Sequence, residues 1–268
     1  MNTQNSSADL KARITEHIQE LAQATDAARV SEEMLRYLDI CSRFYQYSPC
    51  NVWLILMSQP NASYVAGFKK WQSMGRYVCK GEHGIPILAP IFTMVTNELG
   101  DEEQRLVGFK VVFVFDVSQT DGEPLPDPPD WKSPEKNAEL QEKLILFAQI
   151  KGIQVQIKSI RRDIQGVSLG GKILLDLEAG IKTLIHEIAH ELLHHVEGEL
   201  STRTIRELEA ESVAYVVAKH FGMNGLSSPN YNALHGATAN LILEHLERIR
   251  NTAAEIIRAL EAEPELVF

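Results

Sequence analysis

Between Ser118 and Pro134 the chain carries Gly122, Pro124, Pro126, Pro128, Pro129 and Pro134 together with four acidic residues. Proline removes a backbone donor and clashes with the preceding turn, so this stretch can propagate neither a helix nor a central strand. It divides 268 residues into two parts, each long enough to bury a core of its own. We expect a first domain over residues 1–126, a linker over 127–134 and a second domain over 135–268.

The pattern on either side differs. Leu10, Ile14, Ile18 and Leu21 recur at helical spacing, and a second helix is expected from Ser31 as N-cap through Met34, Leu35, Leu38 and Cys41. Ser48-Pro49 opens a third, which carries the apolar residues 52–57 and stops before Pro60. Residues 67–75 read as a short helix. Residues 84–93 and 106–117, rich in Ile, Val and Phe, read as a hairpin around the polar turn 97–103. Beyond the break, Ser133-Pro134-Glu135 starts a helix to about Ile150, strands are expected at 155–157 and 172–175, and the remainder is helical. The expected class is α+β, with an α/β N-terminal domain and a mostly helical C-terminal domain built on a small sheet.

The net charge of −10, from 26 basic and 36 acidic residues, argues against a surface that grips nucleic acid everywhere. The charge is −2 up to residue 120 and −8 beyond it, so any contact with nucleic acid must be local. Three cysteines without C-x-x-C spacing support neither a disulfide framework nor a thiolate metal site. No apolar run approaches the roughly 20 residues that a bilayer needs, and residues 1–9 lack the apolar region of a signal peptide. A cytoplasmic protein with no membrane partner is the expectation.

The informative segment lies at residues 184–195, where His186-Glu187-Ile188-Ala189-His190 forms H-E-x-x-H. Ile181, Leu184, Ile185, Ile188, Ala189, Leu192, Leu193 and Val196 make one apolar stripe, so the segment is an amphipathic helix packed on a core. Residues four apart stand one turn over another, and two imidazoles so placed can converge on a tetrahedral Zn²⁺ while Glu187 faces its open position. His194 lies eight residues from His186, about 12 Å along the axis, and cannot share the metal with both histidines. A third ligand must come from another helix. Glu207, Glu211, Ala214, Tyr215 and Ala218 share one face of residues 206–218, so Glu207 could coordinate zinc and Glu211 could accept the free N–H of a ligand histidine. A solvated acidic face is the competing reading for either glutamate, and Glu209 is expected at the surface.

In these residues the stretch 172–221 resembles the gluzincin kind of zincin metallopeptidase, where H-E-x-x-H is followed by E-x-x-x-D, and its local pattern is closest to the ImmA/IrrE metallopeptidases. The resemblance assigns Glu207 to the family's ligand glutamate and Glu211 to its second carboxylate. It likens residues 172–176 to the edge strand that receives an extended peptide. The implied chemistry is metal-assisted hydrolysis, with the carbonyl polarised and the water acidified by zinc and with Glu187 as general base. Tyr215, Tyr231 and His235 are candidate oxyanion partners, each competing with a packing role.

Residues 61–90 carry Lys69, Lys70, Arg76 and Lys80 against Glu82, interleaved with Tyr64, Phe68, Trp71 and Tyr77. Basic side chains contact phosphates and aromatic faces stack on bases, which suits single-stranded DNA and nominates Lys69, Lys70, Trp71, Arg76, Tyr77 and Lys80. The runs 65–71, 75–90 and 114–120 resemble the N-terminal single-stranded-DNA-binding domain of ArdC-type antirestriction proteins, over about residues 8–126. That family joins such a domain to a metallopeptidase, which implies a DNA-associated zinc metallopeptidase acting on a nearby protein. A regulatory protease of the ImmA kind that cleaves a repressor, and a non-catalytic DNA-binding antirestriction protein, are the alternatives.

Overall fold

In a computed structural model, residues 6–24, 27–96, 101–125, 134–160, 164–195, 201–226, 229–234 and 236–262 are described. The architecture is α+β, as expected. It forms two compact units, one of Met1–Glu20 with Pro49–Pro126 and the other of Leu21–Ser48 with Asp127–Phe268. The segment Leu21–Ser48 thus belongs with the C-terminal residues, which a single boundary at 126 does not provide for. Among the described residues no helix is long and apolar enough to cross a membrane.

The first unit takes most of α1 (Ser7–Gln23), α3 (Pro49–Ser58), β1 (Val65–Gly67), α4 (Phe68–Ser73), β2 (Arg76–Val78), β3 (Ile85–Thr96), β4 (Glu102–Asp116) and β5 (Thr120–Gly122). The hairpin is present and longer than the apolar runs suggest. β3 and β4 pair antiparallel from Ile85↔Val114 to Thr96↔Glu102, with a register shift between Ile91 and Phe92. Its turn lies partly outside the described residues. β1 adds to the base of β4, giving the order β1-β4-β3. α3 is buried from Val52 to Leu56, and Asn51 fixes it to the sheet by exchanging two hydrogen bonds with the Leu88 backbone, at 2.9 and 2.8 Å.

Asp116 explains the 114–120 run. Its carboxylate accepts from the backbone of Ser63 and Tyr64 at 2.8 and 3.1 Å and from Ser118, capping a 3-10 turn over Val117–Gln119. Burial opposes its ionisation, but these donors outweigh it and hold the pKa below the usual carboxylate value.

The second unit holds α2 (Ala27–Arg43), α5 (Pro134–Ile150), β6 (Gln154–Ile157), β7 (Gly166–Ser168), β8 (Lys172–Leu175), α6 (Ile181–His194), α7 (Arg203–His220) and α8 (Ala239–Glu261). Helix α2 begins four residues ahead of Ser31, which lies inside it rather than capping it. β6 and β8 run parallel, β7 and β8 antiparallel, in the order β6-β8-β7. Strand β7 is too short to announce itself in the sequence. Helix α7 is buried nearly all round, from Leu208 through Ala218, because α6, α8 and α2 all pack on it. Its small side chains Ala210, Ala214 and Ala218, all with 0% exposure, admit these neighbours closely. Its start is capped by Thr202, whose hydroxyl accepts from Ile205 N–H.

Candidate metal centre

Helix α6 buries Leu184, Ile185, Ile188, Ala189 and Leu193, and this anchoring turns His186, Glu187 and His190 toward a cavity of about 470 Å³. Helix α7 supplies Glu207 from the opposite wall. One ligand atom from each of His186, His190 and Glu207 lies within 4.8 Å of the others, so these residues could hold a metal ion. The two Nε2 atoms stand 3.0 Å apart, and Glu207 Oε2 is 3.5 Å from the first and 3.7 Å from the second. A tetrahedral ion with bonds of about 2.1 Å separates its ligand atoms by about 3.4 Å, so the donor set fits a divalent cation. Two imidazole lone pairs at this separation repel unless a proton or a cation lies between them.

The surroundings sort the two histidines. Burial disfavours the charged form of His186, but Glu211, Glu187 and Glu207 prevail and raise its pKa above the usual value. For His190, burial and the neighbouring His186, His194, His195 and Arg206 act in the same direction and push it down to about 3, leaving a neutral imidazole. Glu211 Oε2 lies 3.4 Å from His186 Nδ1 and Glu211 also pairs with Lys182, so it could steer His186 if that histidine held a metal. Burial raises the pKa of Glu187, partly offset by His186.

Strand β7 lines the cavity beside Glu187. A Cβ built on Gly166 would come within 2.8 Å of Glu187 Oε1, so only glycine lets the strand approach this closely. The edge at the cavity is therefore β7, whereas residues 172–175 form the central strand. The likening of 172–176 to a substrate edge is corrected by the insertion of Gly166–Ser168 between it and the site. The β8 partners of β7 alternate: Leu169 N–H bonds to Lys172 and Gln165 C=O to Asp176 N–H. The backbone groups of Gly166 and Ser168 accordingly face away from β8.

Glu191, one turn beyond Glu187, holds this edge in place. Its carboxylate accepts from Ser168 Oγ at 2.8 Å and from the backbone N–H groups of Leu169, Gly170 and Gly171 at 3.0, 3.0 and 2.6 Å. Gly170 and Gly171 turn the chain at φ 76° and 84°, which aims consecutive N–H groups at one anion. His195 Nε2 meets the same Ser168 hydroxyl at 2.7 Å.

Several expectations are corrected here. Glu209 is fully buried rather than at the surface. It accepts from His194 Nε2 at 2.9 Å and His245 Nδ1 at 2.8 Å and pairs with Arg248 at 3.3 Å. Burial opposes its charge, yet these three partners lower its pKa to about 2. Tyr215 is buried, with its pKa raised by burial and by Asp39, and it does not line the cavity. Tyr231 is likewise buried, 3.2 Å from Ser212 Oγ, and His235 lies outside the described residues. Arg203 and Arg206 line the cavity instead. Sequence reasoning missed them, although both stand within one turn of Glu207.

In the first unit, Trp71 has 0% exposure and donates its Nε1–H to Phe115 C=O at 2.9 Å, so it is a core residue rather than a stacking platform. Arg76 spends its donors on Thr120, Gly122 and Glu123, clasping β5. Lys69, Lys70, Tyr77 and Lys80 are exposed, as is Phe68.

The comparisons fall on both units. An uncharacterized protein of Bacillus anthracis is 26% identical over 242 residues, covering 72% of this chain. The chain spans only 41% of that relative's length. Two crystal structures of antirestriction ArdC protein from the R388 plasmid are similar. The metal-free one is 20% identical with a TM-score of 0.43, covering 80% of this chain and 83% of its own. The Mn(II)-bound one is 19% identical with a TM-score of 0.49, covering 85% and 99%. Residues 6–123 match the family model for the N-terminal domain of anti-restriction factor ArdC. The expected resemblance to ArdC-type antirestriction proteins is thereby met for the N-terminal part, where residues 6–123 are similar to the ArdC N-terminal domain.

Proposed function

We propose that this chain is a DNA-associated, antirestriction-like zinc metallopeptidase, in which the C-terminal unit hydrolyses a peptide bond of a nearby protein. The observation that carries the reading is the convergence of His186, His190 and Glu207 within 4.8 Å, with Glu187 beside them. Two imidazoles and one carboxylate from two helices leave room in a tetrahedral shell, as catalytic rather than structural zinc sites do. When bound, the cation supplies Lewis acidity toward the carbonyl and a water that ionises near neutral pH. Glu187 takes the proton at its carboxylate, whose pKa burial brings upward toward the working range, and hands it to the leaving amine. The edge of β7 that faces the cavity, where the Ser168 backbone meets Glu187, receives the substrate as an added strand. Arg206, whose buried Nε has no hydrogen-bond partner among the described residues, replaces Tyr215 as the candidate to face the developing oxyanion.

Replacing His190 by alanine is expected to remove the bound metal, from about one zinc per chain to none, as read by mass spectrometry of the purified protein. Unchanged stoichiometry would reject these ligands.

The N-terminal unit supports the DNA partner through its ArdC-type domain and the exposed Lys69, Lys70 and Lys80. Each phosphate contact to a single strand contributes about 0.7 to the dependence of log affinity on log salt. Replacing the three lysines by alanine in the full chain should lower that slope by about 2 in fluorescence anisotropy with a labelled oligonucleotide. An unchanged slope would remove them from the interface.

A further inference from the structure

A file of polar side chains runs from His190 into the core. His190 Nδ1 lies 2.9 Å from His194 Nδ1, and His194 Nε2 lies 2.9 Å from Glu209 Oε2. The other Glu209 oxygen meets His245 Nδ1 at 2.8 Å and Arg248 Nε at 3.3 Å. The side chains of His194 and Glu209 are 2% and 0% exposed, so no solvent competes for these contacts.

Each contact has one workable sense. A carboxylate facing two imidazoles and a guanidinium accepts, so His194 carries its proton on Nε2. A neutral imidazole with that proton offers a lone pair on Nδ1, so His190 must donate from Nδ1 across the 2.9 Å contact. His190 then keeps its own lone pair on Nε2, the nitrogen 3.0 Å from His186 Nε2 and 3.7 Å from Glu207. The opposite sense would require a second proton on His194. That would make a buried imidazolium in a cluster whose one carboxylate already faces Arg248.

We propose that Glu209, acting through His194, is a positioning residue that holds His190 in the Nδ1–H tautomer and so presents its Nε2 to the metal. Ligand histidines are generally oriented by whatever accepts their other N–H. Here the acceptor is an imidazole whose own orientation is set by a carboxylate from the next helix. The proposal rests on the reading of His186, His190 and Glu207 as the ligands, and it adds the group that chooses the ligand atom of one of them.

The first test needs neither variant nor metal. In the metal-free, ¹⁵N-histidine-labelled full chain, long-range ¹H–¹⁵N correlation reports which nitrogen of each ring bears the proton. His190 as the Nδ1–H tautomer and His194 as the Nε2–H tautomer are expected. An Nε2–H His190 would overturn the proposal.

The second test measures Zn²⁺ affinity by competition with a chromogenic chelator. His194→Leu, which fills the space without an acceptor, should weaken binding 10- to 100-fold, a usual loss for a partner of a ligand histidine. His194→Gln, which can return an oxygen toward His190, should recover most of it. Equal affinity of the leucine variant and the wild type, or a glutamine variant no better than leucine, would reduce His194 to packing and overturn the proposal. If the wild type binds no Zn²⁺, the ligand reading itself falls, and the tautomer measurement still decides whether the file orients His190.

Discussion

Glu187→Gln is expected to lower peptide hydrolysis by 10²- to 10⁴-fold while leaving the zinc content at the wild-type level. The ligand atoms proposed for the metal belong to His186, His190 and Glu207, and none of them is disturbed by an amide next to His186. Glutamine keeps the volume that fits against Gly166 but has no basic oxygen to accept a proton. The separation of the two readouts is what makes the substitution informative. Cleavage followed by mass spectrometry of the products, with metal measured on the same sample, checks it. A variant that cleaves like the wild type would remove Glu187 from the role of base.

Glu209→Gln is expected to destabilise the protein by about 3–5 kcal/mol, the usual cost of stripping one partner from a buried charge cluster. His194, His245 and Arg248 all converge on this carboxylate, and an amide cannot accept from all of them without pointing a donor at one. The loss should appear as a lower urea midpoint in circular dichroism. Its pH dependence has a definite sign. The pKa of Glu209 falls from 4.5 to about 2 on folding. Its charge therefore contributes stability that is complete above pH 4.5 and disappears as the pH falls toward about 2. The gap between wild type and variant should close over that window. A gap that stays constant across it would show that the stabilisation comes from shape and not from charge.

Much of the site was legible because a helix makes spacing equivalent to position. His186, Glu187 and His190 follow from residues three or four apart, and Glu207 and Glu211 from a shared face on a second helix. The same rule failed at Glu209. Two positions from Glu207 it turns to the other side of α7, and in a helix buried nearly all round, the other side is more core rather than solvent. Nothing local could indicate this, since its partner His245 lies 36 residues away on α8. Trp71 failed for a related reason: an aromatic among lysines reads as a stacking surface until the fold brings Phe115 C=O to its indole N–H. Strand β7 escaped notice because three residues carry too little alternation to register.

The grip of Glu191 on the turn at residues 169–171 bears on how faults would spread through the second unit. Two of the three proposed metal ligands and the proposed base take their bearings from two successive turns of α6, which carries His186, Glu187, His190 and Glu191 and draws β7 along through the last of these. A shift of α6 relative to α5 would carry these parts together, like bits in a single jig, and leave their mutual alignment unchanged, whereas a shift relative to α7 would part them from Glu207. Sequence change where α5 packs on α6 should therefore be tolerated in its effect on the proposed reaction far better than its burial suggests. Small changes along the short path from Gly166 to Gly171 would register at once.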